Sequence, residues 1–87
     1  MITYKDGNGS NKEEAVIILG AKDEMEGIDA EHNWLEEKFG EQNIAWELND
    51  QELIDEGDTH YDVLRVKFQS GEIKEFWFDI TDFYGKE

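Results

Sequence analysis

The sequence predicts an α+β fold, one amphipathic helix packed on a mostly antiparallel sheet in the order ββ-α-βββ. Three observations carry this. Met25, Ile28, His32, Leu35 and Phe39 recur at alternating spacings of three and four, the stripe of an amphipathic helix. Segments between Ile44 and Ile80 alternate apolar and polar residues with period two, the pattern of half-buried strands. Glycine-rich turn sequences such as Glu56-Gly57-Asp58 and Gln69-Ser70-Gly71 separate these segments.

Along the chain, Ile2 to Tyr4 reads as a short strand ahead of the turn-rich Asp6-Gly7-Asn8-Gly9-Ser10. Ala15-Val16-Ile17-Ile18-Leu19 is apolar on both alternations, which predicts a strand covered on both faces. A second reading stands beside it, because Ser10 and Glu13 have the spacing of a capping box that would open a short helix. The β-branched run ending at Gly20 favours the strand. In the helix that follows, Asp23 suits the N-cap and Gly40 the stop. Gly27 weakens the first turns by about 1 kcal/mol relative to alanine. It either permits close packing on the sheet or marks a later helix start.

Ile44, Trp46 and Leu48 alternate with polar neighbours, and the phase shifts before Leu53 and Ile54, predicting a bulge near Asn49 to Gln51. Glu56-Gly57-Asp58 is a hairpin turn. The next strand places Leu64, Val66 and Phe68 inward and Val63, Arg65 and Lys67 outward. The last places Phe76, Phe78 and Ile80 inward, with Ile73, Glu75 and Trp77 outward. Register decides the second turn. A two-residue loop would set Arg65 opposite Phe76, whereas the loop Gln69-Ser70-Gly71, with Gly71 left-handed, pairs Leu64 with Phe76 and Arg65 with Glu75. The tail Asp82-Phe83-Tyr84-Gly85 is expected to fold back, since adjacent aromatics favour burial.

At 87 residues the chain (1–87) is expected to form a single domain burying roughly 60% of its extended surface. Three tryptophans and eight Phe/Tyr residues supply a small core efficiently. There is no cysteine, and the opening residues lack the basic-then-apolar pattern of a secretory leader, so the expected location is cytoplasmic. The longest apolar run, Ala15 to Leu19, is far too short to span a bilayer.

The charge is segregated. Asp23 to Asp62 holds fifteen acids and one base, Lys38, a net of −14 out of −15 for the whole chain. Such a surface repels anionic membranes and nucleic acid, so direct contact with either is not expected. A basic protein partner is expected instead. The acids expected to meet it are Asp23, Glu26, Asp29, Glu36 and Glu37 on the helix, with Asp50, Glu52, Asp55, Glu56 and Asp58 on the hairpin. Small acidic α+β proteins that imitate DNA are the nearest functional analogy, one of charge and size alone.

Chemistry-bearing motifs are sparse. His32 lies on the apolar helical stripe and reads as a packed core residue, while His60 reads as surface; together they make no metal-ligand spacing, and neither a metal nor a cofactor is expected. Ser10 and Ser70 sit in glycine-flanked turns without a neighbouring histidine, so no catalytic nucleophile is expected and the protein is read as a non-enzyme. A calcium loop beginning at Asp6 would need glycine and glutamate where Asn11 and Ile17 stand. Gly7 and Gly9 lack the following residues of a phosphate cradle. Carboxylate pairs are uninformative among twenty-three acids. Two alternatives remain. Tyr61, Val63, Ile73 and Trp77 on the outward sheet face would form a homodimer surface if neither the first strand nor the tail covers them. Trp34, Trp46 and His32 would line a small-molecule cavity.

Overall fold

Two antiparallel strands open the chain, β1 (Thr3–Lys5) and β2 (Val16–Leu19), and a 16-residue helix, α1 (Glu24–Phe39), follows. Three strands close it: β3 (Trp46–Glu56), β4 (Thr59–Phe68) and β5 (Ile73–Asp79). This is the α+β arrangement and element order that the sequence predicts. The computed structural model describes residues 1–86; Glu87, counted in the expected 1–87 domain, lies outside them. The strands form one sheet in the order β1-β2-β5-β4-β3, with β2 and β5 parallel and every other pair antiparallel. Because α1 links β2 to β3 at the far edge of the sheet, it must cross one sheet face, and it buries that face.

The inward register follows the alternation. Leu64 pairs with Phe76, Arg65 with Glu75, and the chain turns through Gln69-Ser70-Gly71 with Gly71 at φ 91°. The phase shift in β3 is a bulge at Asn49, between the pairs Leu48–Val66 and Asp50–Arg65. Trp46, Leu64, Val66 and Phe78 are buried with Val16 and Ile18 beneath the helix. Trp34 packs edge-on to Phe78 at 5.4 Å between ring centroids, a geometry that aligns the ring quadrupoles.

The strand preferred for Ala15 to Leu19 is present as β2, preceded by a short helical turn. Asn11, not Ser10, caps a single 3₁₀ turn, Lys12–Glu14, by accepting from the Glu14 N–H, and the strand begins after it. β2 is also covered on one face only: Val16 and Ile18 are buried, while Ile17 and Leu19 remain half-buried on the outer face.

The helix stripe is rotated from the predicted one. Leu35 is buried as expected and the Phe39 ring, at the helix end, packs on Phe68 and Phe76, but Met25 and Ile28 are exposed and His32 is half-buried, whereas Gly27, Ala30, Glu31 and Trp34 face the sheet. Small residues let the backbone approach the sheet, so the buried face is poor in large apolar groups and was hidden from a hydropathy count. At Gly27 the reason is visible. A Cβ there would lie 2.3 Å from the Phe83 ring, which the folded-back tail presses against the helix. Gly27 is therefore a packing glycine and not a later helix start. Asp23 caps the helix through the Glu26 N–H, and the Trp46 indole donates to the Gly40 carbonyl at 2.8 Å, closing the other end.

Candidate functional site

The ten acids expected to form one surface divide between two. Asp29, Glu36 and Glu37 are exposed on the outer side of α1, with Asp23 and Glu26 half-buried near its start. Asp50, Glu52 and Glu56 project from the opposite side of the molecule, the sheet face away from the helix. Their register partners, Arg65, Val63 and Thr59, place them there. Asp55 engages His60, and Asp58 is exposed in the hairpin turn.

The two groups differ in what neutralises them. On the sheet face Arg65 donates to Glu52 at 2.8 Å, Asp50 at 2.9 Å and Glu75 at 3.0 Å. Hydrogen bonding to Glu52 foremost, then to Glu75 and Asp50, outweighs partial desolvation and raises the guanidinium above its ordinary range. Lys12 meets Glu56 at 3.0 Å. On the helix, among the described residues, no lysine or arginine pairs with Asp23, Glu26, Asp29, Glu36 or Glu37. Lys38, the only base of α1, lies over the Trp34 ring at 4.9 Å. The sheet acids thus each touch a basic side chain, two cations serving four carboxylates, and the helix acids touch none among the described residues.

Arg65→Met tests this pairing. Three carboxylates would be left facing one another, so the variant should melt at a lower temperature than the parent in low salt. The gap should narrow as salt screens the repulsion, read by thermal melts across a salt series.

The outward residues singled out for self-association are less available than the alternation implied. Val63 is buried, flanked on its own face by Tyr61, Arg65, Glu52 and Trp77. Tyr61 and Trp77 are half-buried against each other at 5.6 Å, and only Ile73 is well exposed. The tail packs on the helix side instead, so it does not cover this face. The aromatic cavity imagined around Trp34, Trp46 and His32 is filled by core contacts. Trp46 is buried edge-on to His32, and His32 Nδ1 shares a hydrogen bond with Gln42 Oε1 at 3.2 Å. No group of three or more His, Asp or Glu side chains that could hold a metal gathers among the described residues, and no helix there is long and apolar enough to cross a membrane.

What the sequence reading missed lies between α1 and the β3–β4 hairpin. Glu31 and Asp62 are buried, 1% and 4% exposed, on facing inner surfaces of helix and sheet. Gln51 Nε2 donates to both Asp62 oxygens at 3.1 and 3.0 Å. Glu31 Oε2 is buried without a hydrogen-bond partner. Burial first, then hydrogen bonding and repulsion from Asp62, pushes the Glu31 carboxyl up to about 10. The Glu31 carboxyl is therefore held toward its protonated form. Glu31 and Asp62 line a cavity of about 180 Å³ with Gln51, walled by Ile28, Leu53, Ile80, Phe83 and Tyr84, with Glu24 also in its lining. Both acids had a signal in the sequence. Asp62 shares the inward parity of Leu64 and Val66, and Glu31 stands four residues after Gly27 and four before Leu35.

No protein-family model, curated protein or solved structure matches this chain. Fold and site together define an acidic α+β domain with an unneutralised helix face and a carboxyl pair buried beneath it.

Proposed function

We propose that the protein is a non-enzymatic acidic binding module that engages a basic partner through the outer face of α1. The partner class favoured is a nucleic-acid-binding protein, with the carboxylates standing where phosphates would, and the setting favoured is the cytoplasm. One observation carries this reading: the helix acids have no basic side chain bound to them, while the sheet acids do. A folded protein that concentrates charge without pairing it internally keeps that charge for long-range attraction, and its repulsion is relieved by a cationic surface. Four of the five hairpin acids drop out of the contact surface because Arg65, Lys12 and His60 already occupy them, and Asp58 stands alone in the turn.

The test is a pull-down from source lysate with the tagged chain, washed at low and high salt in parallel. A basic protein held at low salt and released at high salt is the expected result. The same protein should be lost when Glu26, Asp29, Glu36 and Glu37 are changed to glutamine or asparagine. It should also be displaced by added duplex DNA if the carboxylates imitate phosphates. Undiminished capture by the neutralised helix would refute the reading.

A further inference from the structure

The cleft beneath the helix is independent of that surface and has its own chemistry. Its buried lining is Glu31 and Asp62 with Ile80 and Phe83, and the exposed lining mixes Ile28, Leu53 and Tyr84 with polar Gln51 and Glu24. No N–H or O–H of another residue reaches the buried Glu31 Oε2, and what offsets its burial is the acid's own proton, held against Asp62. Nothing in the packing of α1 needs a carboxylate there. Gly27, Ala30, Trp34 and Leu35 already form its inward face. The cavity, about 180 Å³, is large enough for a small organic group, since a cavity of about 150 Å³ accepts benzene. Its rim is accessible: Ile28, Leu53 and Tyr84 are 46%, 52% and 38% exposed, with Glu24 and Gln51 exposed beside them.

We propose that this cleft is a binding site for a primary alkylammonium group, with the nitrogen on Glu31 and Asp62 and the alkyl chain along Ile28, Leu53 and Tyr84. The carboxyl pair repels anions and offers acceptors. Two carboxyl groups are too few for a calcium or magnesium shell of about six oxygens. An ammonium supplies the N–H donors that Glu31 Oε2 lacks, and its chain removes apolar wall from water. A quaternary ammonium has no N–H to give and should be excluded. The titratable groups lining the cleft are Glu24 and Glu31 from α1, Asp62 from β4 and Tyr84 from the tail, and β3 contributes neutral Gln51. Entry of a cation favours the charged form of Glu31, so binding should release a proton and tighten as pH rises from 6 to 9.

The chemistry has two sources, a free amine or the lysine side chain of a protein. Titrating the isotope-labelled chain at constant ionic strength with n-butylamine, and separately with Nα-acetyl-lysine amide, distinguishes them. Saturable amide shifts centred on Ile28, Glu31, Gln51, Leu53 and Asp62 are expected with at least one probe. Tetramethylammonium and n-butanol should give none. Affinity should fall at least tenfold in Glu31→Gln, and its rise with pH should disappear. Asp62→Asn is the second variant if Glu31→Gln does not fold: affinity should again fall at least tenfold, but the rise with pH should persist, because burial still raises Glu31. Shifts spread over the acidic surface, equal shifts with tetramethylammonium, or affinity unchanged in the variants would overturn the assignment. Because α1's outer acids are untouched in both variants, failure here leaves the surface reading standing, and failure of the surface leaves the cleft.

Discussion

Gly27→Ala should destabilise the protein by roughly 2–4 kcal/mol, reversing the usual effect of that substitution in a helix. In an exposed helix interior, alanine gains about 1 kcal/mol over glycine through backbone entropy and propensity. Here the new methyl would stand 2.3–2.5 Å from three carbons of the Phe83 ring, far inside contact distance. Either the helix lifts from the sheet or Phe83 leaves its pocket. Phe83 is 2% exposed, and removing such a ring costs about 3–5 kcal/mol, which bounds the loss from above. The tail is further held by the Gly85 N–H on Glu24 Oε2 at 2.9 Å and by the Glu24 N–H on the Lys86 carbonyl at 3.1 Å. Undocking Phe83 would loosen the helix start as well. The decisive measurement is a double-mutant cycle by denaturant unfolding. In the Phe83→Ala background the collision is gone, and Gly27→Ala should become neutral or stabilising by up to about 1 kcal/mol. A destabilisation of equal size in both backgrounds would show that Gly27 is needed for some reason other than the ring.

The same position shows how far the sequence could be read. Strand existence, strand faces, the Asn49 bulge and the three-residue turn were legible because each is local. Period-two alternation fixes faces, and opposite charges at Arg65 and Glu75 choose the register. The helix was legible as a helix but not as a surface. Hydropathy selects Met25 and Ile28 as inward, yet closeness of approach decided the matter, and glycine and alanine leave no hydropathy signal for it. Phe83, distant in sequence, fills the space that Gly27 leaves. A buried glutamate is still harder to read, since its burial depends on Asp62 and Gln51 arriving from another element. The charge segregation was visible in the residues. Its partition into a paired sheet face and an unpaired helix face was not, because Arg65 reaches three acids that are 10 to 15 residues away.

Glu31→Gln should stabilise the protein increasingly as pH rises, the second large effect expected. In the unfolded chain Glu31 releases its proton near its ordinary value of 4.5, whereas the folded chain retains it up to about 10. Between those values the folded state holds a proton that the unfolded state has lost. Stability therefore falls as pH rises, by at most about 1.4 kcal/mol per pH unit. Glutamine keeps the shape, cannot ionise, and donates through its amide to Asp62, so this component of the decline is absent from the variant. The two proteins should be closest in stability below pH 4.5 and diverge above it, with a gap of roughly 2–4 kcal/mol by pH 8. Local opening that lets water reach an ionised Glu31 keeps the gap below the titration limit. The other acids titrate in both proteins, so the difference between paired denaturant curves at each pH isolates Glu31. Asp62→Asn should act in the same direction more weakly, because it removes the repulsion while leaving the burial, which is the larger cause. Parallel pH profiles for parent and Glu31→Gln would mean that the carboxyl is ionised and solvated in the native state. A protein that holds such an acid neutral loses stability with each pH unit between 4.5 and about 10, and a buried proton is what makes the parent's decline steeper than the glutamine variant's.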